Sequence, residues 1–396
     1  MAVYRRILSF AFPSEALTRD VLLICLSNVI GAFGEGLYSW VFPLYVRSLQ
    51  ADYLQLGIVL STVIGFAALV PLPGGLLADR YDRKKILILS WIPWVLAPLI
   101  YSFAGNWVQL IPGTFCFGIS MIGIPAVNAY VITAVPNKKT LTQALSLIWS
   151  SFFFSYIFAP ATGGYLATVI GMRWVLRVAA VLCAIATGVF FFLHSQHPRK
   201  ESMVEPEEDL TKTEEKRLWR KIILWSAFLA AAFFFINIGR PYVQTFLAEG
   251  VKMSEIEVGL FGSISFAGMT FIGIGLGRVG DRWKKSGAMG ICLLLYPLSM
   301  IPLMLTNNVG FLMFIAFFLG GSAASSSLTN SYAGAIAPKS KRGLWLSIPQ
   351  TATLVASFIA PYLGAYLYTF SPAYSFIVSI TAMPVLGAYA ITKLKD

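Results

Sequence analysis

Two ionisable side chains, Glu35 and Arg240, lie deep inside long apolar stretches of this chain. If these stretches cross a lipid bilayer, such charges are costly, and residues of this kind bind a substrate, carry a proton or pair with an opposite charge. Burial favours the neutral carboxyl of Glu35, whereas a nearby guanidinium favours its ionised form. We therefore expect Glu35 and Arg240 to alternate between pairing with each other and binding a proton or substrate. A permanent ion pair between them is the alternative.

Polar side chains at helical spacing accompany both charges. Tyr38 shares a helix face with Glu35, and Asn237 and Gln244 share one with Arg240. Amide side chains in other apolar stretches offer a further uncharged lining, although such residues often serve only to pack helices together. The candidates for a substrate or proton site are Glu35, Tyr38, Asn128, Asn237, Arg240, Gln244, Asn330 and Gln350.

The composition of the chain places these residues in a membrane protein. Of the 396 residues, 57% are hydrophobic and only 12% are charged, and the mean hydropathy is +0.73. The two histidines, His194 and His197, lie at the end of an apolar stretch, and no phosphate-binding loop pattern is present. The pattern therefore argues against an intramembrane enzyme and against ATP-driven transport, and it predicts no metal or cofactor.

Twelve segments are long and apolar enough to cross a bilayer, which takes about 20 residues. We name them spans 1 to 12, and they lie at residues 20–47, 53–78, 85–104, 107–135, 142–168, 173–194, 220–247, 255–277, 287–305, 309–337, 343–369 and 373–392. The fold class is therefore an all-α integral membrane protein. We predict an N-terminal six-helix bundle at 1–195, a cytoplasmic linker at 196–219 and a C-terminal six-helix bundle at 220–396.

The distribution of basic residues predicts the orientation of the spans. All but five of the 30 lysines and arginines fall on one side if both termini face that side. Arg240 lies within a span, and the other side keeps only Arg47, Arg173, Arg177 and Lys252. Because basic loops stay in the cytoplasm, both termini are predicted to be cytoplasmic. The basic loops then face anionic lipid headgroups, which accounts for the net charge of +12 and requires no nucleic-acid partner.

The two predicted bundles repeat each other at a distance of 202 residues. Gly75 and the pair Asp79-Arg80 recur as Gly277 and Asp281-Arg282. On the same offset Glu35 corresponds to Asn237 and Tyr38 to Arg240. Two homologous halves of a membrane protein imply a pseudo-twofold axis along the membrane normal and a path between the halves that opens to either side.

The loop between spans 2 and 3 resembles that of the major facilitator superfamily, whose pattern is G-x-L-A-D-R-x-G-R-[KR]. Its matching residues are Gly75, Leu77, Ala78, Asp79, Arg80, Arg83 and Lys84, and Asp82 stands in place of the second glycine. The resemblance covers essentially the whole chain and implies a fold of two six-helix bundles. Together with Asp281 and Arg282, we expect Gly75, Asp79, Arg80 and Arg83 to form a cytoplasmic gate between the bundles.

Span 5 resembles a second pattern, G-P-x-x-G-G of the drug:proton antiporters in that superfamily. Pro160, Gly163 and Gly164 match it, whereas Tyr156 replaces one of its upstream glycines. In span 11, Pro361 and Gly364 repeat the feature. The antiporters usually carry an arginine in helix 4 at the position where this chain has Thr114. The pattern indicates either antiport or simply a bend with close helix packing.

These observations predict a secondary active transporter of the cell membrane that moves a small solute by alternating access. Proton-coupled export of an amphipathic or lipophilic compound is the first interpretation. Uptake of a sugar, organic acid or other small anion with protons is the alternative, because Arg240 suits an anionic group. A nutrient sensor that does not transport is an alternative of another class. The resemblance implies a monomer.

Overall fold

The computed structural model of the protein describes residues 17–135, 138–196, 212–325 and 342–394, and these residues are almost entirely helical, without a β-strand. Ten of their helices are long and apolar enough to cross a membrane. The two shorter apolar helices, Tyr53–Ala68 and Val309–Ala323, belong to span 2 and span 10. Each of the twelve predicted spans therefore contains at least one helix, and residues 326–337 of span 10 lie outside the described part.

Some spans are single helices and others are broken. Span 1 consists of Arg19–Ser39 and Phe42–Ser48, span 2 of Tyr53–Ala68 and Pro71–Arg80, and span 4 of Ile111–Ser120 and Gly123–Ala134. The other spans contain the helices Arg83–Phe103, Lys138–Ile170, Met172–Val189, Lys212–Gly239, Glu255–Arg282, Lys285–Leu305, Val309–Ala323, Arg342–Phe370 and Pro372–Thr392.

Spans 2 and 8 begin in the same way, which reflects the repeat. Asp52 caps the first turn of span 2 in a capping box with Gln55. Ser254 does the same for span 8 with Glu257, 202 residues later. In each box the side chain of the first residue accepts from the backbone N–H of the second, and the side chain of the second accepts from the backbone N–H of the first. Two free N–H donors at the start of the helix are thereby satisfied.

The packing of the spans repeats as well. Within the N-terminal half, span 1 packs against spans 5 and 6, and within the C-terminal half, span 7 packs against spans 11 and 12. The two halves contact each other through span 2 with span 11 and through span 5 with span 8. Each contact therefore has a counterpart six spans later, as a pseudo-twofold axis requires.

We distinguish two ends of the molecule. The basic end carries the turns 80–85 and 282–285, and the opposite end carries the turns 48–53 and 250–255. The described contacts between the halves, such as those of Gly57 with Ala365 and of Gly164 with Gly259, lie in the middle of the spans or toward the opposite end. Near the basic end, a Cβ added to Gly75 or Gly277 would meet no atom within 4 Å.

Spans 1 and 7 both leave regular α-helical geometry near the predicted charges. Span 1 breaks between Ser39 and Phe42. Span 7 passes from Gly239 into a 3-10 turn at Arg240–Tyr242 and then a π turn at Phe246–Gly250. Pro43 follows the first break and Pro241 lies in the second. Proline has no backbone N–H to donate, and its ring clashes with a carbonyl of the preceding helical turn.

Residues 197–211 lie outside the described residues, so most of the predicted linker at 196–219 does too. The helix of span 7 begins at Lys212, within the linker range. Asn330 and both chain ends also lie outside the described part. The domain boundaries remain a prediction.

Candidate functional site

Glu35 lies inside the N-terminal bundle and is held by two aromatic residues of other spans. The Trp94 indole nitrogen Nε1 of span 3 donates to Glu35 Oε2 over 2.8 Å. The Tyr156 hydroxyl of span 5 forms a second hydrogen bond to the carboxylate. Trp94 and Tyr156 are buried, so both donors are held by the packing around them and fix the position of the carboxylate.

The Glu35 side chain remains accessible because it borders two cavities. The first, of about 240 Å³, lies between the bundles and is lined by Glu35, Tyr38, Ser39, Phe42, Leu60, Val63, Ile64, Tyr101, Phe117, Pro241 and Pro361. The second, of about 280 Å³, lies within the N-terminal half and is lined by Asn28, Glu35, Trp91, Trp94, Ser120, Met121, Gly123, Ile124, Val127, Trp149, Phe152 and Phe153. Glu35 is the one acidic residue in the lining of each.

Arg240 lies next to span 9. Its guanidinium is near the side chains of Tyr296 and Cys292. Among the described residues the structure has an ion pair at the opposite end and a contact between His194 and Asp20, but no ion pair between Glu35 and Arg240. The alternative of a permanent ion pair is therefore wrong. The alternation between pairing and release stays a prediction.

The repeat relates the surroundings of Glu35 to those of Asn237. The Asn237 amide donates to the Ser357 hydroxyl of span 11 over 3.2 Å and to the Phe233 carbonyl over 2.8 Å. Tyr296 is the counterpart of Trp94 on the offset of 202 residues. In spans 5 and 11 the offset is 201 residues, as for Pro160 and Pro361, so Ser357 is the counterpart of Tyr156. The two halves thus use equivalent positions, but only the N-terminal half has a carboxylate there.

The other predicted site residues are placed differently. Tyr38 lines the first cavity, and its buried hydroxyl has no hydrogen-bond partner among the described residues. Asn128 accepts a hydrogen bond from Trp149 of the second cavity over 3.2 Å. The buried Gln244 Oε1 also has no partner in the described part, and Gln350 is exposed and lines neither cavity.

Among the described contacts, none of those made by the predicted gate residues at the basic end joins the two halves. Arg80, Asp281 and Arg282 are exposed. Arg83 donates to the Ala129 carbonyl over 2.9 Å and to the Thr133 hydroxyl, which ties span 3 to span 4 of the same bundle. The side chain of Asp79 is outside the described part. The gate remains a prediction for a conformation in which the basic end is closed.

The glycines of span 5 serve close packing in two directions. A Cβ on Gly163 would collide with the Leu37 backbone of span 1, and a Cβ on Gly164 would collide with the Glu255 carbonyl of span 8. In span 11, Gly364 lies in the same way against the Ile238 carbonyl of span 7. Between the halves, the Ala161 N–H of span 5 donates to the Ser263 hydroxyl over 2.9 Å. Close helix packing is thus sufficient to explain the glycines of this pattern, which comprises Pro160, Gly163, Gly164, Pro361 and Gly364.

An ion pair that the sequence interpretation missed closes the opposite end. Arg47 Nε of span 1 donates to Glu249 Oε1 of span 7 over 2.8 Å, and the Tyr53 hydroxyl donates to Glu249 Oε2 over 2.7 Å. The Arg47 guanidinium also lies 4.3 Å from the centre of the Tyr53 ring. Arg47 and Glu249 are 202 residues apart, so they are equivalent in the repeat. Equivalent residues near a twofold axis meet each other, and this signal could have identified the pair.

The Glu249→Gln substitution should let the opposite end open more often, because it removes one charge from the contact between the halves. The pair is partly exposed, so the expected shift is modest, about fivefold in the equilibrium between closed and open forms for about 1 kcal/mol. Spin labels at the exposed positions Val108 and Asn307 would report it as a larger population of long distances.

Exchange of the two charges provides the control for this experiment. The double variant Arg47→Glu/Glu249→Arg keeps an ion pair between equivalent positions, so it should recover much of the wild-type distance distribution. An unchanged distribution in Glu249→Gln would show that the pair does not hold the end closed.

Two pseudo-symmetric helix bundles that meet around a cavity with a carboxylate in an apolar environment form a membrane transporter. Residues 24–246 and 237–395 match the family model of the Major Facilitator Superfamily. The chain belongs to this superfamily, whose members are carriers and not enzymes.

Individual relatives are distant. The multidrug resistance protein MdtG of Proteus mirabilis (strain HI4320) is 24% identical over 365 residues, which cover 90% of this chain and 85% of the relative. The crystal structure of the nucleoside transporter NupG, as its D323A mutant, has a TM-score of 0.79 at 13% identity and covers 95% of this chain and 100% of its own. A POT family transporter in complex with a thioalcohol conjugated peptide has a TM-score of 0.78 at 15% identity, with coverages of 96% and 99%. At this identity, the two structures show the fold alone.

Proposed function

We propose that the protein is a secondary active transporter that exports amphipathic or lipophilic cations in exchange for protons. The observation that carries the proposal is the position of Glu35, a carboxylate between two cavities with aromatic walls. Aromatic faces attract cations and accommodate apolar groups of many shapes, and the carboxylate supplies the opposite charge. The similarity to a protein named for multidrug resistance supports the same direction.

Proton exchange follows from competition at one group. The carboxylate binds either a proton or the cation, so each ligand displaces the other. The proposal places the basic end in the cytoplasm, and the chain works as a monomer in the cell membrane with both termini inside. The cavity between the halves would then receive substrate from the cytoplasm or the inner leaflet.

Uptake of a small anion is the second candidate, and Arg240 favours it. Its guanidinium has no carboxylate partner among the described residues, and a free guanidinium inside the membrane suits a carboxylate or phosphate. In that case Arg240 binds the substrate and Glu35 carries only the proton.

Thermal stabilisation of the purified protein at pH 6 and pH 8 tests the proposal. Binding to the folded state raises the melting temperature. Tetraphenylphosphonium should stabilise the wild type more at pH 8 than at pH 6, because fewer protons compete, and it should not stabilise Glu35→Gln. Stabilisation by benzoate or phosphate that persists in Glu35→Gln but is absent in Arg240→Gln would favour uptake of an anion.

The Glu257→Gln variant is the matched control. It makes the same chemical change at a partly exposed residue at the start of span 8, and glutamine can still complete the capping box with Ser254. Stabilisation by the cation in this variant should equal that of the wild type. A loss there would mean that the change reflects protein quality and not the site.

A further inference from the structure

A third cavity lies at the basic end, outside the site described above. Its volume is about 590 Å³, within the range of about 300 to 1,000 Å³ that is typical of ligand sites. It is formed by the last turn of span 2, the first two turns of span 3 and the middle of span 4, all in the N-terminal half. Neither cavity at Glu35 shares a residue with it.

Two cations stand at the mouth of this cavity. Arg80 and Lys85 line it and are exposed, and neither forms an ion pair among the residues whose side chains the structure describes. The carboxylate of Asp82 also lines the cavity, but it accepts from the backbone N–H groups of Lys84, over 2.9 Å, and of Gln196, over 3.3 Å. Neither Arg80 nor Lys85 is paired with a described carboxylate, so both can contact an anion.

The cavity changes from charged to apolar with depth. Leu89 lies four residues beyond Lys85 in span 3, which is one turn or about 6 Å deeper. Leu89 is 65% exposed, and Ile119 of span 4 lines the same wall. A soluble anion would leave this wall bare, whereas an amphipathic molecule with an anionic head and an apolar tail would cover it.

We propose that this cavity binds an anionic phospholipid of the leaflet at the basic end. The phosphate contacts Arg80 and Lys85, and the glycerol and first part of an acyl chain lie against Leu89 and Ile119. Each basic residue near an anionic membrane surface contributes about 1 kcal/mol to such binding. Removal of both cations should therefore weaken binding by about tenfold or more.

Titration with lipid of the protein purified in a neutral detergent tests the proposal, read out by native mass spectrometry. The probes are phosphatidylglycerol, phosphatidylcholine with the same acyl chains, and glycerol phosphate. The wild type should bind phosphatidylglycerol in preference to phosphatidylcholine, and Arg80→Gln/Lys85→Gln should lose this preference. Because Arg80 is also a predicted gate residue, the measurement is lipid binding and not transport.

The repeat supplies the matched control. Arg282 is the counterpart of Arg80, and it and Lys284 lie in the equivalent turn of the C-terminal half, so Arg282→Gln/Lys284→Gln removes the same charge at the same end. This variant should bind phosphatidylglycerol like the wild type. An equal loss in both double variants would show only general attraction by basic loops and would overturn the site.

A variant in the apolar wall separates the lipid from a soluble anion. Leu89→Asn should weaken binding of phosphatidylglycerol several-fold and leave glycerol phosphate unaffected. Glycerol phosphate that binds as tightly as the lipid would overturn the proposal in favour of a soluble phosphate compound. Melting temperatures in detergent alone identify any variant that fails to fold, in which case the single variant Lys85→Gln replaces the double one.

Discussion

Glu35→Gln should abolish proton-driven transport while leaving a folded protein. Glutamine fills the same volume and its carbonyl oxygen can still accept from Trp94, whose Nε1 lies 2.8 Å from the carboxylate. It cannot bind or release a proton, and it lacks the charge that attracts a cation. Two opposite unit charges about 6 Å apart attract each other by about 3 kcal/mol at an effective dielectric constant of about 20, so cation affinity should fall by about 100-fold.

Two measurements check this result. In proteoliposomes with an imposed pH gradient, Glu35→Gln should show no more substrate movement than vesicles without protein. In weakly buffered detergent solution, substrate should release protons from the wild type and none from the variant. Wild-type transport and proton release in Glu35→Gln would rule out Glu35 as the coupling residue, and Glu257→Gln provides the control for the loss of one carboxylate.

Gly163→Val should prevent stable folding of the N-terminal bundle. The added side chain would meet the carbonyl, carbonyl carbon and Cα of Leu37, and a backbone cannot move aside as a flexible side chain can. Overpacking of a tight core costs about 1 to 3 kcal/mol and sometimes more, and this site is at the upper end because the obstacle is the backbone of a neighbouring span. We expect little folded protein after purification, measured by size-exclusion chromatography and melting temperature.

The adjacent substitution, Gly164→Val, should have a different effect. Gly164 faces the Glu255 carbonyl and the Gly259 Cα of the other half, so the two bundles can separate to relieve the collision without unfolding. The variant should fold and populate forms with the opposite end open, measured by the distance between spin labels at Val108 and Asn307. Gly188→Val is the control for both, because a Cβ there would meet no atom within 4 Å. Equal behaviour of the variants at 163 and 164 would contradict this division of contacts.

The same contacts support the prediction that the transporter closes at one end at a time. The halves meet through residues such as Gly57, Gly164 and Gly259, which bring backbones close together, and through the Arg47 and Glu249 pair at the opposite end. If the basic end closes in exchange, the cations of the predicted gate replace these contacts. Each end, when closed, would then be held by charged residues at positions that the repeat relates to each other.

The amino-acid sequence by itself determined the number of spans, the two homologous halves and the family. These properties depend on the length of apolar segments and on residues at fixed offsets, which are visible without a structure. It also identified Glu35 and Arg240 as the charges deep in the membrane. The lipid environment imposes these constraints on each span separately, so no knowledge of the packing between spans is needed.

Only the tertiary structure decided which side chains surround those charges. Trp94 and Tyr156 come from spans 3 and 5, far from Glu35 in sequence, and nothing in their spacing points to a shared carboxylate. A helix face predicts which side chains point inward, but not toward which neighbouring helix they turn. Arg240 lies near Tyr296 and forms no ion pair with Glu35, because the surroundings of a side chain depend on the rotation and close packing of the helices around it.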